Sequence, residues 1–314
     1  MSDSLLHPRY WLTWLGLGLL RCIVFLPFST QQSIGRFLGR LLNKILKRRR
    51  HNAEVNIALC FPELSSDEQK RLVDANMIST TLGAIETAFS WWASDKAILK
   101  RSKIEGLELL EQAKQEGRGV LLIGAHYTTL DLAGRVIGMH TDLDITYKDQ
   151  HNKAFDYCIN QARKHSFTHL IEKNAMRNMV KNLKKQRVVW YAPDQDFGRQ
   201  GAVFVPFFHR PAATLTTVGK LLSITHAKPL FYSHFRIDNN GDTFYLAKIH
   251  DPFKNGFNDD DIHNATLLNK AIEDVIREHP EQYLWVHERF RTQPNLGEPK
   301  PYTLRKKKKA PTDL

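Results

Sequence analysis

The stretch Gly119-Val-Leu-Leu-Ile-Gly-Ala-His-Tyr-Thr-Thr-Leu-Asp131 begins with four large apolar residues between two glycines and ends in polar groups. An apolar run that short, bounded by glycine, suits a strand buried on both faces. Helical spacing resumes over 128–138, so strand, turn and helix follow one another. The same alternation recurs. Strands are expected at 120–124, 144–148, 169–172, 188–192, 203–208, 230–237, 244–250 and 283–287. Helices are expected at 67–92, 107–115, 128–138, 153–165, 176–185, 215–225 and 262–279. This pattern specifies an α/β domain, a mixed sheet flanked by helices, and not a bundle or a sandwich.

The strand delivers His126 to its C-terminal edge, where α/β sheets present functional groups. Asp131 follows. On an ideal helix the step from one to the other turns through about 500°, leaving the side chains about 140° apart. They meet only if His126 sits on the turn and Asp131 on the first helical turn, where its carboxylate can accept the imidazole N–H. The other ring nitrogen is then the base, and an imidazole of ordinary pKa about 6.5, raised by a carboxylate, suits removal of a proton from an alcohol. With 14 histidines in the chain, spacing alone is a weak signal. Context strengthens it: there is no Gly-x-Ser-x-Gly nucleophile motif and no His-Glu-x-x-His metal helix. A His/Asp pair without an enzyme nucleophile points to direct attack of an acceptor hydroxyl on an acyl thioester.

The chain has 314 residues, enough for one sizeable domain beyond its N-terminal segment, and a formal charge of +12. Its partners are therefore expected to be anionic. Basic motifs interleaved with aromatics are missing, which argues against nucleic acid. Cys22, Cys60 and Cys158 are odd in number and widely spaced, and read as reduced packing residues. Residues 11–28 are almost wholly apolar; as one helix they reach about 27 Å against a hydrocarbon core of about 30 Å. No alanine precedes Ala53, so an A-x-A signal cleavage site cannot be written. A basic amphipathic helix follows, with Ile34, Phe37, Leu38, Leu41, Leu42 and Ile45 at helical spacing and Lys47-Arg-Arg-Arg50 at its end. Residues 1–52 are thus expected to anchor the protein to anionic lipid, 53–298 to form the catalytic domain, and 299–314 to be a disordered basic tail. The run Asp259-Asp-Asp261 stands before a helix and reads as a cap, since the spacing of a calcium loop is missing. No metal or cofactor is expected.

Several stretches together resemble the lipid A late (secondary) acyltransferases of Gram-negative bacteria, the lauroyl/myristoyl family. They are the N-terminal hydrophobic segment, Arg49-Arg-His-Asn-Ala-Glu-Val-Asn-Ile-Ala-Leu-Cys-Phe-Pro-Glu-Leu64, Gly124-Ala-His-Tyr-Thr-Thr-Leu-Asp131, Asp194-Gln-Asp-Phe-Gly198, Val205-Pro-Phe-Phe-His-Arg-Pro-Ala-Ala-Thr214 and Gln282-Tyr-Leu-Trp-Val-His-Glu-Arg-Phe290. The resemblance runs from about residue 10 to about residue 294. It implies a glycerolphosphate-acyltransferase-like fold with an N-terminal membrane-anchoring helix. It also implies transfer of a fatty acyl chain from acyl carrier protein to a hydroxyl of a 3-hydroxyacyl chain on a lipid A precursor, at the cytoplasmic face of the inner membrane. His126 and Asp131 fall on the family's catalytic His-x4-Asp/Glu dyad, Arg163 on an arginine of its site and Asp194 on its Asp-Gln motif. Asp131 stands where close relatives commonly have Glu, and Lys148-Asp-Gln-His-Asn-Lys153 where many have Arg-Pro. An arginine such as Arg163 can hold an anion or polarise a carbonyl, with Asp194 orienting it. Arg289 and Arg291, just past an expected strand, are candidates to meet substrate phosphates, with packing of their stems the equal alternative. The rival readings are acylation of another membrane lipid, a glycerophosphate or glycolipid, and a non-catalytic basic protein that binds lipid surfaces.

Overall fold

The computed structural model describes residues 5–147, 149–172, 176–239, 242–253 and 256–303. Its strands are β1 (Ser102–Glu105), β2 (Val120–Ile123), β3 (Leu143–Tyr147), β4 (His169–Glu172), β5 (Val188–Tyr191), β6 (Ala202–Phe207), β7 (Arg210–Leu215), β8 (Lys228–Asn239) and β9 (Asp242–His250). Its helices are α1 (Trp11–Val24), α2 (Phe28–Ile45), α3 (Lys47–Cys60), α4 (Ser66–Trp92), α5 (Asp95–Leu99), α6 (Leu107–Gln115), α7 (Leu130–Gly138), α8 (Lys153–Ser166), α9 (Met176–Lys184), α10 (Thr217–Thr225) and α11 (Asp261–Glu278).

Seven strands form one sheet in the order β1-β9-β8-β2-β5-β3-β4, and β6 and β7 pair separately. Pairing is parallel except between β8 and β9, so the expected mixed α/β sheet is what forms. The quoted strand lies at its centre, parallel to both β5 and β8. Leu121 and Ile123 join one apolar core and Val120 and Leu122 the other, so β2 is buried on both faces. That double burial is why its sequence is continuous and not alternating.

The stretch 283–287 is not a strand. Tyr283 makes a single bridge to Tyr127, and the carbonyls that a neighbouring strand would have used are taken by side-chain amides. Asn76 Nδ2 donates to Tyr283 O at 2.6 Å, and Asn56 Nδ2 to Trp285 O and His287 O, each at 2.7 Å. Buried backbone must be satisfied, and here α3 and α4 satisfy it. Strands β1 and β7 escape a pattern search because neither alternates strongly. Asp260 caps α11, its side chain accepting from Ile262 N. Within the stretch 299–314 expected as a tail, Tyr302 is buried, its hydroxyl donating to Asn56 Oδ1 at 2.6 Å and accepting from Phe290 N at 2.8 Å. Residues 304–314 lie outside the described residues.

The apolar segment 11–28 is not one helix. α1 ends at Val24, and α2 begins after Pro27, whose fixed φ and missing N–H suit a helix start and not an interior. Among the described residues no helix is long and apolar enough to cross a membrane. α2 packs on α4 through its small residues, with Ile34, Leu38 and Leu42 half-buried beside them. Gly35 approaches Leu82 and Ile85 of α4, Gly39 approaches Ile78, and Gln31 and Gln32 are buried. Phe37, Leu41 and Ile45 meanwhile face outward, Phe37 at 65% exposure.

Candidate active site

After β2 the chain turns sharply. Gly124 passes Trp190 so closely that a Cβ there would lie 2.6 Å from the indole Nε1. Thr128 N then donates to Gln282 O at 2.8 Å and Leu284 N to His126 O at 2.9 Å, clamping the turn to the 280s. From below, α4 approaches at Gly83, where a Cβ would stand 2.4 Å from Thr128 O. Residues 124–129 are therefore fixed without belonging to a helix or strand.

His126 is oriented by Asp194. Its Nδ1 lies 2.6 Å from Asp194 Oδ1, and its backbone N donates to Asp194 Oδ2 at 2.9 Å. The carboxylate is wholly inaccessible. Burial pushes the Asp194 carboxyl up, but the His126 charge and hydrogen bonds outweigh that and hold it well below the usual carboxylate range. An ionised carboxylate only accepts, so Nδ1 carries the proton and Nε2 is the basic nitrogen. Asp131 does not take the place on Nδ1 expected of it. On the first turn of α7 it accepts from Thr87 Oγ1 at 3.3 Å and faces Arg163 Nη2 at 3.7 Å. Asp194 likewise orients His126 and not Arg163.

His126 opens into a cleft of about 540 Å³ whose lining includes Tyr147, Met179, Trp190, Tyr191, Phe197 and Leu215. A second, narrow slot holds Asp131 and Arg163 among Ile137, Leu143, Ile145, Phe167 and Tyr232. Trp190 and Thr146 line both. A polar pair at the mouth of apolar space suits a reaction on a long-chain acyl group. Arg289 is elsewhere: it is fully buried, donating to Ala213 O at 2.8 Å and Thr214 Oγ1 at 3.1 Å with its guanidinium over Phe207. It braces β7 and presents nothing to a ligand. Arg291, half exposed, reaches Asp196 O at 3.2 Å.

Residues 1–292 match the model of the bacterial lipid A biosynthesis acyltransferase family. The chain belongs to this family. It is 36% identical to the lipid A biosynthesis palmitoleoyltransferase of Escherichia coli K12, over 95% of this chain and 96% of that one. It is also 36% identical to the lauroyltransferase of the same strain, over 96% and 98%. The identity to a lipid A biosynthesis acyltransferase of Haemophilus influenzae is 35%, over 95% and 96%.

The site of this acyltransferase has supports that pattern reading passed over. Arg236, buried on β8, forms a two-pronged ion pair with Glu86 of α4 at 2.5 and 2.6 Å, joined by Tyr245 Oη at 2.7 Å. Each charge stands alone in an apolar run, Ala84-Ile-Glu-Thr-Ala88 and Phe235-Arg-Ile237, which is the signal that could have found them. His234 lies beneath the turn, Nδ1 2.7 Å from Thr129 Oγ1, and burial pushes it down to about 3. Burial likewise pushes His287 down to about 4. Among the described residues no group of three His, Cys, Asp or Glu is placed to hold a metal ion.

Proposed function

We propose that this protein transfers a fatty acyl chain from acyl carrier protein to a hydroxyl of a 3-hydroxyacyl chain on a lipid A precursor, with His126 as general base. The observation that carries the mechanism is the His126–Asp194 pair at the mouth of the apolar cleft. Nε2 takes the hydroxyl proton as the oxygen attacks the thioester carbonyl. A C–O bond forms, the C–S bond breaks, and the proton passes to the departing thiolate. In the adjoining slot Arg163, faced by Asp131, supplies a guanidinium suited to the negative charge that develops on the carbonyl oxygen. The donor fits the formal charge of +12, since a carrier that docks by charge must be acidic.

The reading includes attachment to the cytoplasmic face of the inner membrane. It is supported by Trp11, Leu12, Leu15 and Leu19 of α1 and Phe37, Leu41 and Ile45 of α2, all exposed, beside the exposed cations Arg40, Lys44 and Lys47. Exposed apolar side chains of that density mark an interaction surface, and the basic flank selects anionic lipid.

The purified protein, given acyl carrier protein donor and lipid A precursor, is expected to add one acyl chain by mass. His126→Ala is expected to fold and to lose nearly all transfer. Full activity in that variant, or transfer only to a glycerophosphate or another glycolipid, overturns the proposal.

A further inference from the structure

A second cleft, about 570 Å³, lies beside the His126 cleft and differs in character: its lining includes Arg48, Arg49, Asn52, Gln195, His287 and Arg291. Gln195 lines both clefts and follows directly on Asp194, the residue that holds His126. A molecule filling both therefore has its reacting end at the imidazole and a polar group among guanidinium groups.

The cations there are poorly matched within the chain. α3 opens with Lys47-Arg-Arg-Arg50, has no acid in its first turn and no side-chain cap. Positive side chains at the positive end of a helix dipole are destabilising there, and a bound anion reverses the sign. Arg50 is committed to Glu54 and Asp74. Arg48, 81% exposed, reaches Glu288 only at 3.5 Å, and Arg49 forms no ion pair with any described residue. Asp196, the other acid of this cleft, is occupied by Thr292 N and Oγ1 and by Gly198 N, so it offsets Arg291 only at 3.9 Å.

We infer that this cleft is a phosphate subsite, in which Arg48, Arg49 and Arg291 hold a phosphate of the reactant whose reacting group lies at His126. The inference rests on the proposed acyl transfer. Two reactants carry suitable chemistry: a phosphorylated acceptor, and a donor whose thioester arm is joined to its carrier by a phosphodiester. Guanidinium forks match either.

The test compares the full-length protein with Arg49→Ala, the Arg48→Ala/Arg49→Ala pair, Arg291→Ala and Arg49→Lys. Inorganic phosphate, followed by its phosphorus resonance on titration with protein, is expected to bind wild type and to weaken about tenfold or more in the alanine variants, with partial recovery in Arg49→Lys. In transfer assays KM for one reactant rises by a similar factor while kcat changes less than about threefold. If the acceptor supplies the phosphate, a dephosphorylated acceptor abolishes the difference between wild type and variants. If the donor does, an acyl-pantetheine without phosphate abolishes it. Equal phosphate binding in all proteins overturns the inference. So do unchanged KM values accompanied by weaker binding to phosphatidylglycerol vesicles, which assign the arginines to the membrane surface. A wild type that transfers nothing defeats the proposed function, while the phosphate titration still decides the subsite.

Discussion

Replacing Asp194 by Asn tests the site most directly, because the change is nearly isosteric and its consequences follow from two distances. Oδ1 is 2.6 Å from His126 Nδ1 and Oδ2 is 2.9 Å from His126 N, with no solvent access to either. An asparagine has one acceptor oxygen in place of two. Turned toward the backbone, it aims its NH2 at Nδ1, and the ring must present a lone pair there and carry its proton on Nε2, the wrong tautomer for a base. Turned toward the ring, it confronts the His126 N–H with a second donor, a buried mismatch of about 1–3 kcal/mol. The first arrangement removes general-base catalysis, a loss of about 10²–10⁴ in kcat, or about 3–5 kcal/mol of barrier. Single-turnover transfer from acyl carrier protein measures it, with KM and the unfolding midpoint as controls. Asp194→Asn is expected to keep KM within about threefold and lose at least about a hundredfold in kcat. A variant that retains more than a tenth of wild-type kcat refutes the orienting role of Asp194.

His234 stays neutral in the folded protein down to about pH 3, whereas the unfolded chain takes up a proton near the ordinary histidine value, so stability falls as pH drops between those limits. From pH 7 to pH 5 this one residue removes about 2 kcal/mol, and chemical unfolding of wild type against His234→Gln should show that difference in slope; parallel slopes exclude it. Glu86→Leu leaves the buried Arg236 guanidinium without its counter-charge and should cost about 3–5 kcal/mol, most of it recovered when Arg236→Leu is added. A single variant as stable as wild type shows that the pair is not holding α4 to β8.

Much of this architecture is written locally. The run Val120–Ile123 has no way to be exposed on either face, so its central place in the sheet was legible, as was His126 at its end. The partner of His126 was not legible, because it lies 68 positions away and arrives through the pairing of β2 with β5. Spacing along the chain favours Asp131, but spatial proximity is set by the sheet. Arg289 was misread for a related reason. Its placement depended on a strand at 283–287, and that segment is instead held by Asn56 and Asn76, which no periodicity in the 280s reveals. Gly35 and Gly39 show the same limit: hydrophobic periodicity over 34–45 found the helix, but it does not reveal that its two glycines form the side that packs on α4.

That glycine seam sets a dimension of the molecule. A Cβ at Gly39 would come within 2.8 Å of Ile78 Cα, so α2 lies against α4 with backbone nearly touching backbone. α4 in turn lies against the turn that carries His126, again through a glycine, Gly83. At Gly39 and at Gly83 no side-chain layer separates α2 from α4 or α4 from the turn of His126, while at Gly35 the contact is with the side chains of Leu82 and Ile85. Whatever surface Phe37, Leu41 and Ile45 meet, the reacting nitrogen stands above it at a height fixed by the thickness of two helices. A bulkier residue at position 39 would have to push the two helices apart, since the added Cβ meets backbone there and not the end of a side chain.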